Sequence, residues 1–328
     1  ISDKSIDASS LNNLDGISEG IINTSSIAVL EGFALDINHA FSSQGISYLG
    51  NKKITIYDES IEASLLNTLD ENTSGNINAN TIKTLTGFAS DINSALSSSE
   101  ISNLGDEEVT ISDKSIDASL INTLDEKTTG NINVTAIKTL TGNYSALYMA
   151  YNSSDLIGLE STSITISGKI SVSQLNNLSS LSNGTLIASV NEGDMASLSG
   201  ISEAGNTLDI TITDKSVSAI ELIKLDNKTT DALKVSSTTL TGTNEEKIAA
   251  YTAYSLGTIM GLDKTFDAFN YLASHEDLLN VYGSNVVSAR SHFFNYGVRE
   301  NRMIDSFDEG SYLASHSDLL TAYGSNTS

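Results

Sequence analysis

The chain repeats itself at a fixed offset, and this constrains its fold more than any other feature. The pattern Ile-x-Asp-x-Ser-Ile occurs three times at steps of 55 residues, and Thr86-Gly87 recurs at the same step as Thr141-Gly142. Two shorter, divergent copies follow. The five copies begin at Ile1, Ile56, Ile111, Ile164 and Ile210. Because the offset is kept through segments of different periodicity, each copy is predicted to be one structural unit.

Within one copy the hydrophobic period changes between that of a strand and that of a helix. Residues 109–112 alternate as a strand does, and Ile132 and Val134 alternate again. Between them, a short helix is predicted, with one face formed by Ile116, Leu120, Ile121 and Leu124. Ser115 is its predicted N-cap, with Asp117 in the first turn. A second helix is predicted elsewhere in the copy, from the face formed by Phe88, Ile92, Ala95 and Leu96.

Each copy therefore has the order β-α-β-α and is too small to bury its own apolar side chains. Stacked copies would bury a continuous core, so the predicted fold is an α/β solenoid with parallel strands and a 55-residue period. The handedness of strand–helix–strand connections would make it right-handed. A chain of separate small α/β domains is the alternative. The predicted divisions are three repeats in residues 1–161 and two divergent repeats in residues 162–263.

A second kind of repeat occupies residues 264–328, after a predicted boundary near Leu262 to Lys264. The segments at 266–267 and 271–275 return 41 residues later, at 307–308 and 312–316. The spacing of Leu, Tyr and Phe, with Gly stops, predicts a small all-α module whose second copy is truncated. Since both ends of the chain fall inside repeats, we expect the sequence to be part of a longer polypeptide.

The composition excludes several classes of protein. The chain has 17 basic and 41 acidic residues, a formal net charge of −24, so its surface repels nucleic acid and anionic lipid. It contains no Cys, which excludes a disulfide framework and thiol chemistry, and no Pro or Trp. No stretch approaches the roughly 20 apolar residues of a membrane-spanning helix. The acidity is typical of a protein kept soluble in salty water or in contact with divalent cations.

Two segments carry a resemblance to known families. The run from Val109 to Asp125, with the Thr-Leu-Thr-Gly segment at 139–142, resembles repeats in giant surface proteins of marine cyanobacteria and other bacteria. The tail motif Phe-Asp-x-x-x-Tyr-Leu-Ala-Ser-His, with Tyr-Gly-Val-Arg-Glu-Asn-Arg at 296–302, resembles a short helical repeat of cyanobacterial hemolysin-like secreted proteins. The resemblance covers nearly the whole chain and implies a secreted, extracellular cell-surface protein. Such proteins often carry glycine-aspartate-rich calcium nonapeptides, but this sequence has none.

No pattern of catalytic residues is recognisable. The motifs HExxH, GxSxG, GxGxxG and the P-loop are absent, and abundant Ser and Thr hydroxyls without an activating base are not nucleophiles. Of the four histidines, His275 and His316 are repeat equivalents, which favours a packing or capping role. Neither of these two lies in an HExxH pattern or near a Cys. We therefore expect a chain that is not an enzyme and has no cofactor.

One acidic position recurs immediately after a strand, at Asp58, Asp113 and Asp214. One hypothesis is a row of calcium-ligating carboxylates. The other is an Asx turn or a helix cap. Calcium takes about six to eight oxygen ligands, and one Asp per copy supplies too few, so the capping role is favoured.

The chain's three arginines, Arg290, Arg299 and Arg302, all lie in the tail of a strongly acidic molecule. We predict that they form an interface with acidic surface of the repeats, in the same chain or a neighbouring one, through bidentate carboxylate pairs.

The repeat array favours a structural protein of the extracellular surface that assembles with copies of itself into a filament, sheath or surface layer. The alternative is an adhesin stalk, a spacer that carries a distant binding domain. A polysaccharide-degrading enzyme would need an acidic pair at one unique position, whereas the acidic residues here mostly recur with the repeat.

Overall fold

The computed structural model describes residues 1–324, and the end of the predicted second tail copy, residues 325–328, lies outside the described part. The chain forms two compact units. The first unit holds residues 1–168 and 177–186, and the second holds residues 169–176 and the chain from Ile187 onward. Strands and helices alternate as far as Met260 and short helices follow, so the predicted α/β class with a C-terminal helical segment is confirmed. The predicted divisions after residues 161 and 263 stay predictions.

The strands are short. As far as Met260, one to three successive strands are followed by one helix. Strands β1 to β22 are, in order, Ser5–Asp7, Ile22–Asn23, Val29–Gly32, Ile46–Ser47, Lys53–Ile56, Ser60–Glu62, Ile77–Asn78, Thr84–Gly87, Ile101–Ser102, Glu108–Ile111, Ser115–Asp117, Ile132–Asn133, Thr139–Gly142, Leu156–Ile157, Ser163–Ile170, Leu186–Val190, Thr207–Asp209, Thr211–Ile212, Ser216–Ser218, Leu233–Val235, Thr239–Thr241 and Ile259–Met260.

The helices are also short, and they become the dominant element after Met260. Helices α1 to α15 are, in order, Ala8–Ile17, Ala34–Ser42, Ala63–Asn72, Ala89–Ser97, Ala118–Asp125, Tyr144–Asn152, Val172–Leu181, Met195–Leu198, Ala219–Asp226, Asn244–Leu256, Ala268–Ala273, Glu276–Tyr282, Val286–His292, Glu309–Ala314 and Ser317–Tyr323. A 3-10 helix covers Leu262–Thr265, at the predicted start of the tail, and a π-helix covers Phe293–Gly297.

The strands of the first unit pair in parallel with strands about 24 residues further along the chain, which confirms the predicted parallel pairing. Ser5 is opposite Val29, and Val29 is opposite Lys53. The same spacing joins β6 to β8, β8 to β10, β11 to β13 and β13 to β15. In the second unit β18 pairs in parallel with β20, and β19 with β21.

Alternation of apolar residues explains why these segments are strands. Ile54 and Ile56 are 1% and 0% exposed, while Lys53, the first residue of the same strand, faces solvent. Val109 and Ile111 occupy the same places in β10 and are equally buried. Burying a side chain of this size contributes roughly 1.5–3 kcal/mol, so the short strands are stabilised mainly by packing.

The helices bury one narrow face at i, i+3 and i+6. In α5 this face consists of Ala118, Ile121 and Leu124, each 0% exposed. The buried counterparts in α3 are Ala63, Leu66 and Leu69. Leu69 is therefore the buried equivalent of Leu124, and Leu66 is the buried equivalent of Ile121.

Two details of the predicted helices are wrong. Ile116 is buried in strand β11 rather than on the helix, and Leu120 is only half-buried. The N-cap of α5 is Asp117, whose carboxylate accepts a hydrogen bond of 2.9 Å from the backbone N–H of Ser119, whereas Ser115 lies in the strand. A separate short strand, β11, lies between β10 and the helix, and periodicity missed it because its buried Ile116 fits either pattern.

The predicted second helical face is shifted in the same way. Phe88 is the N-cap of α4 and is 57% exposed, and the buried face consists of Ala89, Ile92 and Ala95. A small residue begins these helices because the neighbouring strand approaches closely. Gly142 has φ +153°, and a Cβ there would lie 3.3 Å from the Cβ of Ala118. A side chain at this glycine would therefore meet both backbone strain and a steric contact.

Candidate functional site: helix caps and the basic aromatic tail

The recurring aspartates cap helices that begin 19 to 24 residues earlier in the chain. Asp58 Oδ2 accepts a hydrogen bond of 2.7 Å from the backbone N–H of Ala34, the first residue of α2. The same bond joins Asp113 to Ala89 at 2.8 Å and, in the second unit, Asp214 to Met195 at 2.6 Å. A helix N-terminus leaves its first N–H groups unpaired, and a carboxylate there also interacts favourably with the helix dipole. These aspartates therefore have a capping role.

The capping role was favoured from the sequence, but the helix that each aspartate caps was not identified. Calcium binding by Asp58, Asp113 and Asp214, the less favoured hypothesis, stays untested. Within residues 1–324, no group of three or more His, Asp or Glu side chains is placed to hold a metal ion.

The residues that occupy the N-caps of α2 and α4 are aromatic and supply no hydrogen bond. Phe33 and Phe88 lie 55 residues apart and are 56% and 57% exposed. The ring of Phe33 meets Tyr57 edge-on at 6.3 Å, and most of its surface stays in solvent. The third copy has Asn143 at this position, and its side chain caps α6 through a bond of 2.9 Å to Ala146. The position thus accepts either a self-capping residue or an exposed aromatic ring.

Asparagine amides link successive helices in the first unit. The Nδ2 of Asn12 donates to the carbonyl of Asp36 at 2.9 Å. The same bond recurs from Asn67 to Asp91 at 3.0 Å and from Asn122 to Ala146 at 2.9 Å. Sequence reasoning missed these residues, although the recurrence of Asn at three equivalent positions was a visible signal.

Buried hydroxyls make a second set of repeated links. Thr128 Oγ1 donates to the carbonyl of Glu107 at 3.3 Å and accepts from the N–H of Gly130 at 3.0 Å. Thr73 bridges Lys52 and Gly75 in the same way. A buried backbone group without a partner is costly, so these hydroxyls replace the bonds that the short strands do not provide.

In the tail, Arg290 binds the residues that begin the module. Its guanidinium donates to the carbonyl of Asp263 and lies 3.7 Å from that residue's carboxylate. It also donates to the carbonyl of Phe266 at 3.4 Å and sits 6.0 Å from the centre of the Phe266 ring. Arg290 therefore links α13 to the 3-10 helix at the start of the tail through a hydrogen bond and an ion pair.

Arg302 forms ion pairs with two carboxylates of the tail. Its Nη1 contacts both carboxylate oxygens of Asp277, at 3.0 and 2.8 Å, and its Nε contacts Glu300 at 2.6 Å. These bonds raise the pKa of Arg302, and the bond from Arg302 lowers the pKa of Asp277. Arg299 is exposed and makes no ion pair within the described residues. The interface role predicted for the three arginines stays a prediction.

An aromatic cluster forms the core between α10 and the tail. Phe266 stacks on Phe293 at 4.3 Å, and Tyr251 meets both rings edge-on. Burial raises the pKa of Tyr251 to about 12. Burial also lowers the pKa of His292, and Arg302 adds to that effect.

The two equivalent histidines pack against the tyrosine of their own copy. The ring of His275 lies 4.8 Å from that of Tyr271, and its Nε2 donates to the carbonyl of Met303 at 2.8 Å. The ring of His316 lies 4.3 Å from that of Tyr312. Both are N-cap residues whose side chains make no capping bond.

Among residues 1–324, no helix is long and apolar enough to cross a membrane. No family model matches this chain, and neither does any curated protein or solved structure.

Proposed function

We propose that this chain is a non-catalytic structural protein of the extracellular surface, built as a solenoid of 55-residue units that associate with other copies into a filament, sheath or surface layer. The observation that carries the proposal is the equal exposure of Phe33 and Phe88 at equivalent helix N-caps. Identical exposed rings at equivalent positions form a surface that can contact the same rings of a second copy.

The fold does not need an aromatic ring at these positions. Helix N-caps favour Ser, Thr, Asp and Asn, and Asn143 shows that this position accepts such a residue. At Phe33 and Phe88 the missing cap is replaced by Asp58 and Asp113. The rings are therefore free to contact another molecule. Covering the exposed part of one ring contributes about 1 kcal/mol, so association requires several such contacts at once.

The repeated hydrogen bonds support the solenoid with its 55-residue period. Bonds from Asn12, Asn67 and Asn122 have the same donor, the same kind of acceptor and nearly the same length. The strand pairs keep a spacing close to 24 residues throughout the first unit. A chain of separate α/β domains would instead confine strand pairing within each 55-residue copy, whereas Ile54, before the start of the second copy, is paired with Ile77 inside it.

The net charge of −24 opposes contact between copies. Divalent cations neutralise and screen such a surface, so we expect them to promote association without a dedicated binding site. The extracellular location rests on the resemblance to secreted surface proteins.

The test is electron microscopy and sedimentation of the purified chain, with and without divalent cations. We expect extended assemblies that the double variant Phe33→Asn/Phe88→Asn loses, while its unfolding temperature stays near that of the parent because Asn is a good N-cap. The matched control is Ile17→Asn, since Ile17 is 82% exposed but is not repeated at that position. Monodisperse monomers under every condition would overturn the proposal and favour the adhesin spacer, and an equal loss of assembly in the control would also count against it.

A further inference from the structure

We propose that the second tail copy presents an exposed aromatic face that binds a partner helix with the aromatic, basic pattern of Val286–Gly297. We call this surface the second tail face and define it by Phe307 and Tyr312. The proposal is independent of the assembly through Phe33 and Phe88, because it rests on the internal duplication of the tail.

The first tail copy shows what such a face binds. Its Phe266 and Tyr271 rings lie 5.5 Å apart, and Phe293 stacks on Phe266 at 4.3 Å with an angle of 11° between the planes. The hydroxyl of Tyr271 hydrogen-bonds His292 Nδ1 at 3.1 Å. These partners come from α13 and the following π-helix. They leave Tyr271 0% exposed.

The second tail copy holds the corresponding rings in nearly the same arrangement. Phe307 and Tyr312 are 5.3 Å apart with an angle of 50°, against 60° in the first copy. However, Tyr312 is 46% exposed, whereas Tyr271 in the first copy is 0% exposed. Within the described residues, no third helix covers Phe307 and Tyr312. The two rings therefore keep the arrangement of the first copy without such a helix.

A cavity of about 400 Å³ lies beside this pair. One wall is formed by Phe307 and Tyr312, and the other by side chains of α11 and α12, among them Phe269, Leu272 and Leu279. In the first copy, Phe293 and Phe294 pack between α10 and Phe266. The cavity has room for such a pair of adjacent rings, which defines the chemistry of its occupant.

Charge points to the same partner. Residues 303–324 contain four acidic residues and no Lys or Arg. Residues 286–302, which hold the covering helix of the first copy, contain three arginines and one glutamate. Arg290 there donates to the carbonyl of Phe266, and the second copy offers the carbonyl of Phe307 at the equivalent place. A basic helix with two adjacent aromatic rings therefore fits both the cavity and its electrostatic surroundings.

The test uses a fluorescently labelled peptide of residues 285–302 and fluorescence anisotropy with the whole chain. We expect the peptide to bind, and Tyr312→Ser to weaken binding by at least about tenfold, because an aromatic anchor at the centre of an interface dominates affinity. The exposure of Tyr312 means that its loss leaves the fold intact, which circular dichroism would verify. The protein control is Tyr48→Ser, which removes a tyrosine that is 65% exposed in the first unit. The peptide control is Phe293→Ser/Phe294→Ser, which should lose binding.

Three outcomes would overturn the proposal. The first is that the peptide does not bind, and the second is that Tyr312→Ser binds it as tightly as the parent. The third is that the chain alone sediments as a dimer that Tyr312→Ser converts to monomer, which would show that a second copy covers the face instead. We expect Phe33→Asn/Phe88→Asn to bind the peptide as tightly as the parent chain even if it no longer assembles. The two proposals can therefore fail independently.

Discussion

The carboxylate of Asp58 accepts a 2.7 Å hydrogen bond from the backbone N–H of Ala34, which lies 24 residues earlier and begins α2. The side chain of one strand–helix unit thus completes the helix of the unit before it. Because Asp113 and Asp214 repeat the arrangement, the stability of each such helix depends on its neighbour as well as on its own sequence.

Replacing Asp113 tests this dependence. We expect Asp113→Ala to lower the free energy of unfolding by about 0.5–2 kcal/mol, the usual cost of losing an N-cap side chain. Asp113→Asn keeps an acceptor oxygen and should lose less. Asp3→Ala, at an exposed position of the first copy without a capping bond, is the control for removing one negative charge. Chemical denaturation measures all three, and equal stability of Asp113→Ala and Asp3→Ala would contradict the capping role.

The buried helix face gives a second prediction. Leu124 is 0% exposed in α5, so Leu124→Ala should reduce stability by about 2–5 kcal/mol through lost burial and the cavity left behind. Leu69→Ala should cost a similar amount, because Leu69 occupies the same place in α3. Leu35 is 71% exposed, and Leu35→Ala should change stability by less than about 0.5 kcal/mol. A change that small at Leu124 would show that the register of the face is wrong.

Alkaline pH should destabilise the tail through Tyr251. Burial raises its pKa to about 12 in the folded chain, against 10.0 for an ordinary tyrosine. The unfolded chain therefore loses this proton first, so stability is complete below about pH 10 and falls as the pH rises towards 12. The expected loss is about 2–3 kcal/mol, since each unit of difference corresponds to about 1.4 kcal/mol.

Tyr251→Phe distinguishes this cause from general alkaline unfolding. The variant loses the 2.9 Å hydrogen bond to Thr265 but has no proton to release, so its stability should fall less steeply between pH 10 and 12. Denaturation followed by circular dichroism gives the slopes. Parallel slopes for the variant and the parent would contradict the assignment.

The arginines of the tail should differ in their importance. Arg302 bonds Asp277 and Glu300, and Arg302→Gln should lower the stability of the tail by roughly 0.5–1 kcal/mol, a modest amount because both carboxylates are partly exposed. Arg299→Gln is the matched control, since Arg299 makes no ion pair within the described residues. High salt should reduce the difference between Arg302→Gln and the parent. Limited proteolysis measures the rate of cleavage within the tail. Equal cleavage rates for Arg302→Gln and Arg299→Gln would contradict the prediction.

Periodicity was sufficient to predict the buried leucines. Leu69, Leu124 and their neighbours fall on one helical face at equivalent positions, and packing obeys that pattern because each copy must cover the same strands. The parallel strand pairing followed from the same argument. It requires only that small units share one core.

Hydrophobic periodicity did not predict where the helices and strands begin and end. Ile116 has the same apolar character in a strand as in a helix, and Asp117 rather than Ser115 bonds the first free N–H groups. Phe88 was predicted to be buried because it is apolar, although the cap that it displaces is supplied by Asp113, 25 residues away. A local sequence pattern does not predict a hydrogen bond to a residue of the next unit, such as the bond from Ala89 to Asp113.

The near-constant spacing of the paired strands also bears on how the chain folds. Pairs such as Ser5 with Val29 and Val29 with Lys53 are separated by about 24 of the 328 residues, roughly 0.07 of the chain length, a contact order usual for fast-folding helical proteins rather than for sheets. Each new pair closes a loop of nearly the same size, so the entropic cost of adding a unit does not grow with the number already in place. Lengthening such a chain therefore leaves the time to add each unit unchanged, and a parallel sheet, ordinarily slow to form, grows here by a series of local steps.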